Sequence, residues 1–293
     1  MFEGVELMSS LNQIITELKA GELIPYLGPQ ALNGVVNAVT KQPIPADSDS
    51  LILAMNNGQP MAPKLMYEFP RAAMNQELKR GRSFITRFLD TLYGQTKWTT
   101  STLHTWLNSL NLPYIIDINR DTQLQLLAAK KPHVLIAGIS RMAGTEFRFL
   151  LYQHDGESYH KVTVDTVNSS LPIIFKPMGT PMPEPTYIAS DADYVDYITE
   201  LMGGFGIPVF LKEYRKEKRY LLLGLRLTRD TERMVLSDIM YAAAKPNSGY
   251  VLIPDANDKE KRFSKKLGLE IIPASVEELL AAAGVETVAE AVA

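Results

Sequence analysis

Short apolar runs alternate with stretches of helical periodicity along most of this chain. The apolar runs break at glycine, proline or polar residues, which is typical of strands buried on both faces of a parallel sheet. The predicted strands lie at 23–27, 114–119, 173–175, 209–211, 220–227, 249–253 and 269–272. Alternating side chains at 147–149 and 161–165 predict further strands, with Asp155-Gly156 as the hairpin turn between them.

Capping signals mark the first and last predicted helices. Ser10 and Gln13 fit a capping box at the start of the first helix, and Gly21 stands where its carboxyl-terminal cap is expected. Ser275 and Glu278 fit a second capping box before the last helix. Between them, apolar residues at helical spacing predict helices at 191–202, 231–244 and 257–267.

The region between the first two strands divides into a polar part and a helical part. Residues 41–63 are rich in proline, aspartate, serine and asparagine, so we expect a loop that covers a site. Residues 64–110 are mostly helical in pattern, and Phe84, Phe88 and Leu92 recur at i, i+4 and i+8.

This order of elements defines the expected fold class. Strands that alternate with helices, each strand ending in a turn, predict an α/β fold. We expect a Rossmann-like, doubly wound and mostly parallel sheet with helices on both faces and a β-rich insertion at 133–170.

Composition narrows the function classes. The 293 residues include 30 basic and 33 acidic side chains, a net charge of −3 that argues against nucleic-acid binding. There is no cysteine, which excludes disulfides, thiolate nucleophiles and cysteine-bound zinc or iron–sulfur clusters. Four histidines without metal-binding spacing predict no metal site. No apolar run approaches the roughly 18 residues of a membrane span, and no secretion signal is evident, so we expect a cytoplasmic protein.

Ligands of a doubly wound sheet bind at the carboxyl ends of the strands, where this sequence places four turns. The turn after Leu27 is Gly28-Pro29-Gln30, whose glycine lets backbone approach a phosphate; a tight strand-to-helix turn is the simpler interpretation. After Ile118, Asn119 and Asp121 can bond a ribose or a water, or can cap the next helix.

The other two turns follow Phe175 and Leu223. In the first, Lys176 is long and flexible, and we expect it to be solvated. In the second, Gly224 precedes Arg226 and Arg229, which can meet a phosphate but fit an exposed strand end equally well.

The histidines offer no evident catalytic base. We expect His104, which lies near Trp106 on an apolar stripe, to be structural, and His154 and His160 to be exposed. None has a carboxylate partner that its spacing assigns, so a histidine-based mechanism is not expected.

Taken in order, the four turns resemble the motifs of the bacterial sirtuin-like (silent-information-regulator-like) family. That family has an apolar strand leading into Gly-Ala-Gly, then Thr-Thr-Asn-x-Asp, then His-Gly before Thr-x-x-x-Tyr, and later Gly-x-Ser-x-x-Asp. The corresponding segments here are Gly28-Pro29-Gln30, Asp117-Ile118-Asn119-Arg120-Asp121, Met178-Gly179-Thr180 and Gly224-Leu225-Arg226-Leu227-Thr228-Arg229-Asp230. The resemblance covers nearly the whole chain and implies a sirtuin-like domain in two parts, 1–132 and 171–293, around the insertion at 133–170.

The resemblance implies cleavage of the nicotinamide–ribose bond of NAD, with the motif histidine as general base. Met178 stands at that histidine's position, and a thioether cannot take a proton at neutral pH. Pro29 removes a donor from the glycine turn, and we expect Asp117 to repel a diphosphate. We therefore predict no catalytic residue. The predicted vestigial cofactor-binding residues are Gly28, Gln30, Asn119, Asp121, Gly179, Gly224 and Arg226.

Two hypotheses follow from these departures. The favoured one is a pseudoenzyme without a cofactor, an accessory factor that binds another protein; the resemblance suggests a metalloenzyme such as nitrogenase as that partner. The alternative is an NAD-cleaving enzyme that uses Asn119 and an unassigned base, with a sensor of NAD or ADP-ribose between the two. The expected partner surfaces are 41–63 and the β-rich insertion, and deletion of 145–168 is expected to abolish partner binding with little loss of fold.

Overall fold

The computed structural model describes residues 2–141 and 146–286. The helices of this part of the chain are α1 Phe2–Lys19, α2 Ser48–Met55, α3 Phe69–Arg80, α4 Arg82–Leu89, α5 Thr102–Ser109, α6 Gln123–Leu127, α7 Asp191–Gly203, α8 Val209–Tyr214, α9 Asp230–Ile239, α10 Asp258–Leu267 and α11 Val276–Ala282. The strands are β1 Leu23–Leu27, β2 Tyr114–Asp117, β3 His133–Gly138, β4 Phe149–His154, β5 Tyr159–Val162, β6 Ile173–Lys176, β7 Gly179–Thr180, β8 Thr186–Tyr187, β9 Arg219–Leu223, β10 Gly249–Leu252 and β11 Leu269–Ile272.

Nine of these strands form one sheet in the order β11-β10-β9-β1-β2-β6-β3-β4-β5. Seven of them, from β11 to β3, pair in parallel, whereas β4 and β5 pair antiparallel at one edge. The predicted Rossmann-like, mostly parallel sheet is thereby confirmed. The chain passes from β1 to β2 on one side and later reaches β9 on the other, so the sheet's switch point lies at β1.

Helices cover both faces of the sheet because the strands are apolar on both sides. One core packs α1, α5, α6 and α11 against the sheet, and the other packs α7, α8 and α9 against its opposite face. A third core joins α2, α3, α4 and a π-helical turn at Asp90–Gln95. We call residues 32–98 the helical module; its side chains face the carboxyl ends of β1 and β2.

The segment predicted as a β-rich insertion contributes three strands to the main sheet. Strand β3 is buried between β6 and β4, and the side chains of Phe149 and Leu151 on β4 belong to the sheet core. These strands build the sheet instead of decorating it, so deletion of 145–168 is expected to damage the fold, contrary to the sequence-based expectation. Within this segment, residues 142–145 lie outside the described residues.

Three local predictions were wrong for identifiable reasons. Helix α1 begins before Ser10, whose Oγ donates to the Glu6 carbonyl inside the helix at 3.2 Å, so no capping box starts there. The run 209–211 is helical, because an apolar run this short fits either structure. The expected loop at 41–63 contains α2, which Asp47 caps through the Ser50 N–H. The capping box of Ser275 and Glu278 is confirmed. None of the described helices is long and apolar enough to cross a membrane.

Candidate functional site

The turn after β1 is closed by the turn after β9. The Gly28 N–H donates to the Leu223 carbonyl at 2.8 Å, and the Gln30 N–H donates to the Gly224 carbonyl at 2.9 Å. The Ala31 N–H donates back to the Gly28 carbonyl at 3.0 Å, and Pro29 has no N–H. The donors that would cradle a diphosphate in this turn are therefore bonded within the protein.

The close approach of the two turns explains both glycines. A Cβ on Gly28 would lie 2.5 Å from the Gly224 carbonyl oxygen, and a Cβ on Gly224 would lie 2.4 Å from the Ala31 nitrogen. Gly224 also has φ +67°, a conformation that glycine adopts without strain. Both residues are required for packing of backbone against backbone, without any ligand.

The amino terminus of α9 is a second potential anion site at the same edge of the sheet, and a carboxylate occupies it. The Asp230 N–H donates to Glu68 Oε1 at 2.7 Å, and the Thr231 N–H points to the same oxygen at 3.4 Å. Glu68 comes from the helical module and is 5% exposed. Because a helix amino terminus favours negative charge, this carboxylate takes the place that a phosphate would occupy.

A buried charge cluster lies beneath the turns. Lys176 Nζ, which is fully buried, is 2.6 Å from Asp117 Oδ2 and 3.5 Å from Asp121 Oδ2. Burial, the largest single contribution, raises the pKa of the Asp117 carboxyl, but the positive charge of Lys176 and the contacts with His104 together outweigh it and hold the pKa at about 2. The expectations that Lys176 is solvated and that Asp117 repels a bound diphosphate were therefore wrong, since each neutralises the other inside the protein.

The same cluster positions Asn119. Asn119 Nδ2 donates to the Gly28 carbonyl and to Asp117 Oδ1, both at 2.9 Å, and Asp121 Oδ1 accepts from the Gln123 N–H at 2.7 Å. Both hydrogens of the Asn119 amide are thus used within the protein, which links β2 to the glycine turn.

His104, Asp117 and Asp121 place ligand atoms within 4.8 Å of one another, a spacing that suits a metal ion. His104 Nε2 lies 3.7 Å from Asp117 Oδ2, and its Nδ1 bonds Ser101 Oγ at 2.8 Å. The Lys176 ammonium, however, already lies against both carboxylates. This ammonium already supplies positive charge in contact with both carboxylates and would repel a second cation, so the donor set does not fit a metal ion. His104 is fully buried, which agrees with the structural role expected for it.

Two adjoining cavities separate the strand ends from the helical module. The inner cavity, of about 40 Å³, is lined by Tyr26, Phe69, Ile118, Asn119, Met178 and Tyr194 among others. The outer cleft, of about 200 Å³, is lined by Gln30, Asp47, Asp49, Gly224, Arg226 and Arg229 among others. Pro29, Ser48 and Glu232 border both. The inner cavity has room for a few waters and is otherwise filled by side chains.

The cations of the outer cleft are paired. Arg226 Nε and Nη2 donate to the Glu260 carboxylate at 2.7 and 2.9 Å, and Nη1 donates to Asp255 at 2.8 Å. Arg229 donates to the Tyr67 carbonyl and lies 3.6 Å from Asp49. Both arginines of the cleft are therefore already bonded to groups of the protein, and a diphosphate would have to compete with these groups.

Glu232 was missed by the sequence analysis. In the described part of the chain its carboxylate has no hydrogen bond or ion pair, although it borders both cavities. Loss of solvent around the carboxyl raises the pKa of Glu232 to about 8; Arg229 opposes the rise, and Glu68 adds to it. In the sequence, Glu232 could have been found from its position two residues after Asp230, in the first turn of α9.

The predicted cofactor residues divide into two groups. Gly28, Gln30, Asn119, Gly224 and Arg226 meet at the cavities or at the turns that bound them. Asp121 belongs to the buried cluster. Gly179 lies in the β7–β8 hairpin, where an added Cβ would be 1.9 Å from the Thr186 carbonyl oxygen, and it does not line either cavity. The expectation that His154 is exposed was wrong: it is buried and stacks on His133.

The comparison with known families agrees with the resemblance drawn from the motifs. Residues 136–272, from within β3 to the end of β11, match the family model of the SIR2-like domain. The match supports a sirtuin-like family over residues 136–272, and Gly179, Gly224 and Arg226 lie inside this range. Among curated proteins, none matches the chain.

Proposed function

We propose that the protein is a catalytically inactive sirtuin-like domain that acts by binding another protein. The observation that carries the proposal is the closure of the phosphate-binding positions. Hydrogen bonds to Leu223 and Gly224 use the donors of the glycine turn, and Glu68 uses those of α9. A dinucleotide would have to break these bonds and displace a buried carboxylate before its diphosphate could bind.

The chemistry of the inner cavity supports the same conclusion. Met178, at the position of the family's histidine, is 3% exposed and belongs to the core on one face of the sheet. Its thioether has no proton to exchange at neutral pH. Asn119, the other family residue expected to place an attacking group, already donates both amide hydrogens to the protein.

The partner that we propose is another protein, reached through a surface other than the closed cleft. That this partner is a metalloenzyme such as nitrogenase rests only on the resemblance, and it stays a prediction. A pull-down of purified nitrogenase components by the tagged chain tests this choice of partner directly.

Proton NMR of NAD with the purified protein tests the proposed inactivity. Saturation transfer reports bound NAD, and free nicotinamide reports cleavage over hours. We expect neither signal at millimolar NAD. Nicotinamide release above that of a heat-denatured sample of the same protein would contradict the proposal.

One observation favours a second candidate function, an NAD-cleaving enzyme or NAD sensor. Glu232 borders the same cavity as Asn119, has no partner among the described residues, and its pKa of about 8 gives a proton-accepting fraction near neutral pH. If nicotinamide is released, Glu232→Gln should abolish the release, whereas Glu270→Gln on the exposed side of β11 should leave it unchanged.

A further inference from the structure

A surface groove on the helical module lies apart from the closed cleft. It has a volume of about 470 Å³ and runs between the end of α2 and the α4–π-helical segment. The groove residues that matter here are Met55, Arg80, Phe84, Arg87, Phe88 and Leu92, and we call it the arginine groove.

The floor of the arginine groove is formed by apolar side chains that recur on one face of a helix. Phe84, Phe88 and Leu92 follow one another at i, i+4 and i+8 along α4 and the π-helical turn, and each is half-buried against the core of the module. Their outer surfaces therefore remain in contact with solvent along roughly 12 Å of helix. An apolar stripe of this length matches the apolar face of a second helix.

The rim of the groove is cationic. Arg80 and Arg87 are exposed, and neither pairs with a carboxylate in the described part of the chain. The Arg80 guanidinium instead lies over the Phe84 ring, 3.8 Å from its centre, and Arg87 Nε donates to the Ser83 carbonyl at 3.2 Å. No acidic side chain is among the described residues that line the groove.

The charge of this region differs from that of the whole protein. Residues 64–97 carry seven basic and three acidic side chains, whereas the chain carries 30 basic and 33 acidic. Arg82, on the same helix as Arg87, pairs with Glu77 and Asp193. The basic excess of this region therefore includes Arg80 and Arg87, which lie beside the apolar stripe without a carboxylate partner among the described residues.

We propose that the arginine groove binds an acidic amphipathic helix of the partner protein. Its apolar side chains would pack on Phe84, Phe88 and Leu92, and its carboxylates would pair with Arg80 and Arg87. This inference rests on the proposed protein-binding function and names the chemistry of the partner. The two proposals can fail separately. Cleavage of NAD would contradict the proposed inactivity but would say nothing about helix binding at the groove. Failure of the helix to bind would contradict the inference about the groove but not the closure of the cleft.

Fluorescence anisotropy with a synthetic helix tests the inference. The probe has about 18 residues, with leucine at i, i+3, i+4 and i+7 positions and glutamate elsewhere. We expect saturable binding that weakens as salt is raised, and a loss of at least about tenfold in Arg80→Glu/Arg87→Glu. Arg262→Glu, which reverses an exposed arginine on α10, is the matched control and should bind as the wild-type protein does.

Four outcomes would overturn the inference. The first two are no binding of the acidic probe, and equal binding of that probe by wild type and by Arg80→Glu/Arg87→Glu. The third is that a probe with lysine in place of glutamate binds equally well. The fourth is that a single-stranded oligonucleotide binds more tightly than the acidic probe and loses affinity in Arg80→Glu/Arg87→Glu. Circular dichroism melting of each variant shows that a loss of binding is not a loss of fold.

Discussion

The closed cleft and the arginine groove lie on two sides of the helical module, and they differ in whether their polar groups have partners inside the protein. In the cleft, backbone donors, arginines and the buried lysine all have partners inside the protein. In the groove, Arg80 and Arg87 have no carboxylate partner among the described residues, and an apolar stripe is left half-exposed. The cleft residues therefore contribute to folding, and the groove residues are available to bind.

The largest effect is expected at the centre of the cleft. Lys176→Met leaves Asp117 and Asp121 buried without their cation, and we expect a loss of about 3–5 kcal/mol in the free energy of unfolding. Urea denaturation measures it. The matched control is Lys161→Met, whose exposed pair with Glu184 should contribute no more than about 1 kcal/mol. Equal losses in the two variants would contradict the account of the cluster.

A somewhat smaller loss is expected where the two turns meet. Gly224→Ala places a Cβ against the Ala31 nitrogen at a positive φ, and we expect a loss of about 2–3 kcal/mol. Gly34→Ala is the matched control, because Gly34 has φ +79° but nothing within 4 Å of an added Cβ. Its loss should be about 1 kcal/mol, and thermal melting of both variants separates the close approach from the backbone strain.

Glu232 gives the cleft a pH dependence. Because its pKa is raised from 4.5 to about 8, the folded state keeps a proton that the unfolded state releases between these values. The contribution of Glu232 to stability is therefore full below pH 4.5 and is lost as pH rises through 8.

The glutamine of Glu232→Gln does not titrate, so this variant does not lose stability as the carboxyl of the wild type ionises. The free energy of unfolding of Glu232→Gln, relative to that of the wild type, should therefore rise by about 1–3 kcal/mol between pH 5 and pH 9. Urea denaturation at each pH checks this, with the exposed Glu270→Gln as control. A difference that is constant with pH would show that the carboxylate is solvated.

The smallest effect on folding is expected in the groove. Arg80→Glu/Arg87→Glu changes two exposed side chains without carboxylate partners, so the free energy of unfolding should change by less than about 0.5 kcal/mol. A loss comparable to that of Gly224→Ala would mean that these arginines serve the fold, and the contrast between groove and cleft would fail.

The sequence predicts the fold better than the site for a physical reason. Strands buried on both faces leave apolar runs that can be recognised locally, which is why β1, β2, β6, β9 and β10 were found. The pairing of Lys176 with Asp117 depends on which strands are neighbours. In the structure Ile116 pairs with Phe175, so the next residues of β2 and β6 lie side by side.

The features that close the cleft could not be predicted either, because they also depend on contacts between distant parts of the chain. Glu68 reaches the amino terminus of α9 from about 160 positions earlier in the chain, and no local pattern links the two. The helix α2 inside 41–63 was hidden by the polar residues around it. The stripe of Phe84, Phe88 and Leu92 was visible in the sequence, but its half-exposure was not.

Methyl NMR of the protein labelled at its methionine methyl groups tests the contrast in one sample. Met178 lines the inner cavity and Met55 lines the arginine groove, and Met178→Leu and Met55→Leu assign the two signals. On addition of millimolar NAD, followed by the acidic helix probe, we predict that the Met178 signal stays in place and that the Met55 signal shifts with the probe. A Met178 signal that moves with NAD, while Met55 is unmoved by the probe, would contradict the account.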